Sequence, residues 1–149
     1  MQLSDHFTLA ELTKSDTASR MGLNNEPGST VIEKLVLVCE NILEPVRNHY
    51  GVPFSPSSGF RCLALNRALG SSDGSQHVTG EAVDFEVPRV SNKETALWVR
   101  DNCDFDQIVL EFYEEEKPKS GWVHCSYRGD GKNRHDTFAF DGKTWSSLE

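Results

Sequence analysis

The sequence of 149 residues predicts a small single domain of the α+β class, with a central antiparallel sheet and helices packed on one side. Three observations predict it. Apolar residues recur at helical spacing through residues 30–49. Segments 82–87, 107–113 and 121–127 have the alternation or short apolar runs of strands. No repeat, linker or low-complexity stretch divides the chain, and one domain of about 100–150 residues is the usual size. The expected organisation is a helical N-terminal part over 1–50, a core carrying the chemistry over 51–127 and a C-terminal hairpin over 128–149.

Each element has a local reason. Thr8 with Glu11 three residues on is a capping box, and it opens a short helical cap within residues 5–25. Asn24 to Ser29 is a turn cluster. Val31, Leu35, Val38, Ile42 and Val46 form one face of the main helix, with Leu43 beside them; Pro45 should kink it and Gly51 end it. Val52 to Arg61 contains Pro53 and Pro56, which forbid a helix, so an extended edge strand is expected. Cys62 to Leu69 is a short helix closed by Gly70, and Ser71 to Ser75 is a polar loop. Ala82 to Val87 alternates apolar and acidic residues as a half-buried strand. Ser91 and Glu94 form a second capping box on a helix of about 12 residues, with Ala96, Leu97 and Val99 inward. Strands 107–113 and 121–127 flank a polar loop that includes Glu114, Glu115 and Glu116, a solvated tip. Asp141-Gly142 marks a terminal hairpin over Phe138 to Trp145.

Composition removes several function classes. Lys and Arg number 15 against 23 Asp and Glu, a formal net charge of -8. A nucleic-acid binder needs a basic face, and a polybasic anchor needs clustered Lys and Arg, so neither is expected. No run of about 18 apolar residues is present, so no membrane span is expected. Met1 to His6 has neither the basic nor the apolar region of a signal peptide, and a cytoplasmic location as synthesised is the expectation. Cys39, Cys62, Cys103 and Cys125 show no CxxC pairing and are expected as reduced thiols, small buried hydrophobes rather than zinc ligands. A monomer is the default.

Five histidines occur. His6, His49 and His135 sit in polar or terminal contexts and read as surface residues. His77 and His124 stand apart. Asp84 follows His77 by seven residues on the next strand, and Gly80 between them permits a tight turn. Two histidines and one carboxylate suffice for a catalytic zinc that keeps a fourth position open. The alternative is that His77 caps a loop, Asp84 makes a surface salt bridge and His124 is a core histidine; spacing alone does not decide between them.

The pattern Ser75-x-His77-x-x-Gly80-x-Ala82-x-Asp84, followed by Trp122-x-His124-x-Ser126, resembles the signature of the zinc D-Ala-D-Ala carboxypeptidase family, the M15-type peptidoglycan peptidases. Ser58-Gly59-Phe60-Arg61 is similar to the SGYR segment upstream of the ligands. Leu9 to Leu12, Leu43 to Arg47 and Phe105 to Phe112 resemble the short phage-type and bacterial branch. The resemblance covers about residues 5–127, and the N-terminal signaling domain of hedgehog proteins has a related fold and metal site. It implies one Zn2+ per chain held by His77, Asp84 and His124, and a peptidase acting on peptidoglycan stem peptides, as a D,D-carboxypeptidase or an L-alanyl-D-glutamate endopeptidase. A leaderless lytic enzyme of phage or prophage type would reach the wall through a holin-type pore.

One position departs from that pattern. Many family members place the catalytic acid three residues before the last histidine, as E-x-x-H; here that position is Gly121. Glu111 is the expected base. A hairpin centred between Lys117 and Pro118 sets Glu111 opposite His124 on one face, although a one-residue slip would turn it away. Asp106 is the weaker candidate. Arg61 supplies a forked cation for an oxyanion or a substrate carboxylate, or else is a structural ion-pair partner. Ser75, Gln76, Trp122 and Ser126 are expected to line the site or orient its ligands. The alternative function is a non-catalytic zinc-binding or protein-binding module on the same fold, a reading that the glycine at 121 feeds.

Overall fold

The computed structural model describes residues 1–149. Helix α1 (Leu9–Thr13) begins with the expected capping box: the Glu11 amide donates to Thr8 Oγ1, and the Thr8 amide donates to the Glu11 carboxylate. Ser15 caps α2 (Asp16–Met21) through the Ala18 amide. The main helical run is unbroken. It comprises α3 (Ser29–Val38), one π-helical turn over Cys39–Leu43 and α4 (Glu44–Tyr50). The predicted kink at Pro45 takes this form because a proline has no N–H to give the preceding turn, and a widened turn accommodates its ring. Leu35, Val38, Ile42, Leu43 and Val46 are fully buried, as their spacing requires.

Four short elements follow: α5 (Leu63–Ala68), α6 (Gln76–Thr79), β1 (Ala82–Phe85) and α7 (Asn92–Asn102). Helix α6 carries no periodic signal in the sequence, since four residues make only one turn. Strand β1 is buried along its whole length rather than half-buried, because the segment around Ser58 covers the side that carries Asp84. That segment is not an edge strand. It makes a single bridge, Ser58 with Asp84, and its prolines remove the donors that a ladder needs.

The remaining strands are β2 (Gln107–Glu111), β3 (Trp122–Ser126), β4 (Asp136–Phe140) and β5 (Trp145–Ser147), giving one sheet of order β1-β3-β2-β4-β5. The sheet is mixed, not wholly antiparallel: β4 runs parallel to β2, with Gln107 beside Asp136. β3 already has β1 and β2 on its two edges. The chain leaving Ser126 therefore crosses to the free edge of β2 at the same end, and so runs in β2's direction. The β4–β5 pair is the expected terminal hairpin.

The two faces of the sheet differ. Val83, Phe85, Ile108, Leu110, Val123 and Cys125 point into the core with Leu35, Val38, Ile42, Ala96 and Val99 of the helices. The opposite face carries Asp84, His124, Val109 and Phe138 in one cross-strand row, and Trp122, Glu111, Phe140 and Trp145 in the next. All four cysteines are free, and burial pushes the thiols of Cys39 and Cys103 up to about 12 and about 11, so both are neutral. No helix is long and apolar enough to cross a membrane.

Candidate metal centre

His77 comes from the single turn of α6. Ser75 Oγ caps that turn by accepting from the His77 amide, and Gly80 ends it in the left-handed region at φ +81. A side chain at Gly80 would also strike Val31 of α3, so glycine is required there twice over. The turn drops His77 beside β1, where it is 3% exposed. Its Nδ1–H donates to the Gly59 carbonyl at 2.7 Å. That bond fixes the tautomer and leaves the Nε2 lone pair facing Asp84, 3.3 Å from Oδ1.

Asp84 and His124 are register partners on β1 and β3, so both side chains rise from the same face. His124 Nδ1 lies 2.9 Å from Asp84 Oδ1, and the two imidazole centroids are 5.2 Å apart. One ligand atom from each of His77, Asp84 and His124 falls within 4.8 Å of the others. A zinc with bonds of about 2.0–2.1 Å in tetrahedral geometry needs ligand atoms about 3.3 Å apart, so the donor set fits the ion in type and spacing. Burial alone would push the Asp84 carboxyl up, but the imidazoles of His77 and His124 beside it hold it well below the usual carboxylate range. It is an anion poised for a cation. Desolvation disfavours the charged form of His124, yet Asp84 outweighs it and raises that imidazole.

Glu111 stands on the same face. The β2–β3 register pairs it with Trp122 and pairs Val109 with His124, two residues from the predicted alignment. A two-residue shift preserves the face, so Glu111 sits diagonal to His124 rather than opposite. Burial, then the Asp84 charge, raises its carboxyl above the ordinary value, with His124 and Arg61 opposing. Its neighbours on either strand are Trp122 and Phe140, which supply the apolar surroundings. The Trp122 Nε1–H is buried, makes no hydrogen bond of good geometry and lies near the Glu111 carboxylate, whose pKa it lowers.

Arg61 is fixed by three bonds. Nε donates to Ser58 Oγ at 3.0 Å, Nη1 to Asn66 Oδ1 at 3.3 Å and Nη2 to Asp84 Oδ2 at 3.4 Å. It thus holds the carboxylate oxygen that the histidines do not, and each terminal nitrogen retains one further N–H.

The other predicted site residues fall elsewhere. Ser75 acts only through the cap. Gln76 turns away from the centre, and its Nε2 donates to Asp106 Oδ2 at 2.8 Å. Ser126 is buried and accepts from the Gln107 amide, so it supports the sheet rather than lining the site. Asp106 is not an available base. Burial alone would raise its carboxyl; Arg134, with Gln76, more than offsets this and brings it down to about 2. Arg134 grips both oxygens, at 3.0 and 2.8 Å. This brace joins α6 to the chain beyond β3 and has no sequence signal, since nothing local links Gln76, Asp106 and Arg134. His6 pairs with Glu44, His49 stacks on Trp98 and His135 pairs with Asp104, all away from the centre.

The sequence model of the peptidase M15 family matches residues 5–126, which span every residue of this centre. No curated protein shows a significant match. A match over most of the chain, with two histidines and an aspartate converging inside it, leads to one conclusion: the chain belongs to the peptidase M15 family, a family of zinc-dependent metallopeptidases.

Proposed function

We propose that the chain is a zinc peptidase that hydrolyses peptide bonds in peptidoglycan stem peptides. The observation that carries this reading is Glu111, a carboxylate of raised pKa on the sheet face that presents His124 and Asp84. Zinc held by His77, Asp84 and His124 would supply a Lewis acid that acidifies a water and polarises the scissile carbonyl.

The chain's own groups do the rest. Glu111 takes the proton of the attacking water at its carboxylate and hands it to the leaving amine, a role worth about 10²–10⁴-fold. Arg61, held rigidly against Asp84, turns its remaining N–H groups to a developing oxyanion or to a stem-peptide carboxylate. The Trp122 Nε1–H, which makes no hydrogen bond of good geometry, offers a further, neutral donor beside Glu111. Gly59 keeps His77 in the tautomer that leaves Nε2 free.

Digestion of purified peptidoglycan by the zinc-loaded protein, followed by mass analysis of the fragments, tests this. New termini within the stem peptide are expected, and their identity separates cleavage of D-Ala-D-Ala from L-Ala-D-Glu. Zinc bound at one per chain with no stem peptide cleaved would assign the fold to a non-catalytic zinc module instead.

A further inference from the structure

The face that carries the metal centre continues across the sheet as a row of aromatic rings. Phe112 lies 5.2 Å from Trp122 and 6.0 Å from Phe140 by ring centroid, and Phe140 stacks on Trp145 at 4.4 Å with 25° between planes. The register sets this order, since Trp122, Glu111, Phe140 and Trp145 are successive partners on four strands. At a strand spacing of about 4.8 Å the row runs about 14 Å from Trp122 to Trp145. Phe112 is 44% exposed and Trp145 56%. Large aromatic groups that are contiguous and open to water mark a binding surface more often than chance exposure.

Phe112 gives an independent sign. Its φ is +57, a conformation that bulky residues adopt only where the surroundings impose it. In a regular pleat the residue after Glu111 would point to the helical core. The left-handed turn instead delivers the ring to the open face, between Trp122 and Phe140.

We propose that this row is a sugar platform, which holds the pyranose rings of the amino-sugar glycan to which the stem peptide is attached. The proposal rests on the peptidase reading above. Two features choose this occupant. The row is continuous with the candidate active centre through Trp122, so a substrate whose peptide lies at Glu111 has its attached polymer over the rings. The rings are also uncharged and amphipathic in their demands. The negative face of an aromatic ring attracts the weakly positive axial C–H groups of a pyranose, while the sugar hydroxyls remain in water.

Chitohexaose, a neutral N-acetylglucosamine oligomer with no peptide, is the probe. Titrated into the zinc-loaded protein, it is expected to shift the indole N–H resonances of Trp145 and Trp122. Trp145→Ala should weaken binding about three- to tenfold, and Trp145→Tyr, which keeps a ring, should restore most of it. Trp145→Ala should cleave free stem peptide at the wild-type rate while its KM for intact peptidoglycan rises. Absence of any indole shift with chitohexaose, or unchanged action of Trp145→Ala on intact peptidoglycan, overturns the platform. So does a concentration-dependent dimer that Trp145→Ala abolishes, which would give the row to a second copy of the chain. Sugar binding without stem-peptide cleavage would refute the peptidase reading and leave the platform standing; cleavage without sugar binding would do the reverse.

Discussion

Gly121 packs against the backbone of Glu111 so closely that no side chain fits between them. A Cβ there would overlap the Glu111 carbonyl oxygen and come within 2.7 Å of the Phe112 carbonyl carbon, at a φ of +66. The position that holds the acid of an E-x-x-H pattern is therefore closed by the strand that brings in Glu111. Gly121→Ala is expected to lose at least about 2 kcal/mol from left-handed strain and overpacking, measured by urea denaturation. Gly121→Glu should unfold the hairpin rather than add a second base. A stable Gly121→Glu protein with raised activity would contradict this packing.

Glu111→Gln should lower stem-peptide cleavage about 10²–10⁴-fold while zinc stays at one per chain. The substitution keeps the volume between Trp122 and Phe140 and removes only the proton acceptor. Undiminished cleavage by this variant would strip Glu111 of the role.

Removal of the metal should abolish cleavage and lower the melting temperature together. A ligand at about 100 times its Kd stabilises the folded state by about 2.7 kcal/mol, and a chelator withdraws that contribution. His124→Ala should lose zinc stoichiometry, read by elemental analysis, and should melt at the same temperature with or without chelator. Zinc retained at one per chain in that variant would place the ion elsewhere.

Asp106 sets an acid limit on stability. Its folded pKa is about 2, below the unfolded carboxylate near 3.9, so its contribution is complete above about pH 4 and is lost as pH falls towards 2. With Arg134 half exposed, screening leaves about 1–2 kcal/mol in that window. Arg134→Met should be less stable at pH 7 and flatter between pH 4 and 2. It should also bind zinc more weakly, because Gln76 and α6 lose their anchor. A variant with the wild-type acid profile would show that the brace carries no such load.

Several of these features were legible in the sequence for local reasons. The capping box at Thr8 and the side-chain cap of Ser91 on the Glu94 amide lie within four residues of chain; the Asp141-Gly142 signal marked the terminal hairpin, although its loop runs over four residues, Asp141 to Thr144. The three candidate ligands could be named because the motif that carries them is contiguous or nearly so. The face of Glu111 was recoverable because a strand's side chains alternate, which survives an alignment wrong by two residues. What failed was non-local. Nothing near Asp136 states that its strand will lie parallel to β2, since that depends on which sheet edges are already taken. The bond from His77 to the Gly59 carbonyl and the grip of Arg134 on Asp106 join residues 18 and 28 apart, with no pattern between them.

The parallel pairing of β4 with β2 also orders events during synthesis. Every candidate ligand, and Glu111, has been made by residue 124, yet one edge of β2 stays bare until residues 136–140 arrive. Until then the nascent chain offers an unpaired strand edge beside a carboxylate, Asp106, whose arginine has not yet been added. Shortening the gene to the matched 5–126 segment would make that transient state permanent, and the product would be prone to aggregate through the open edge.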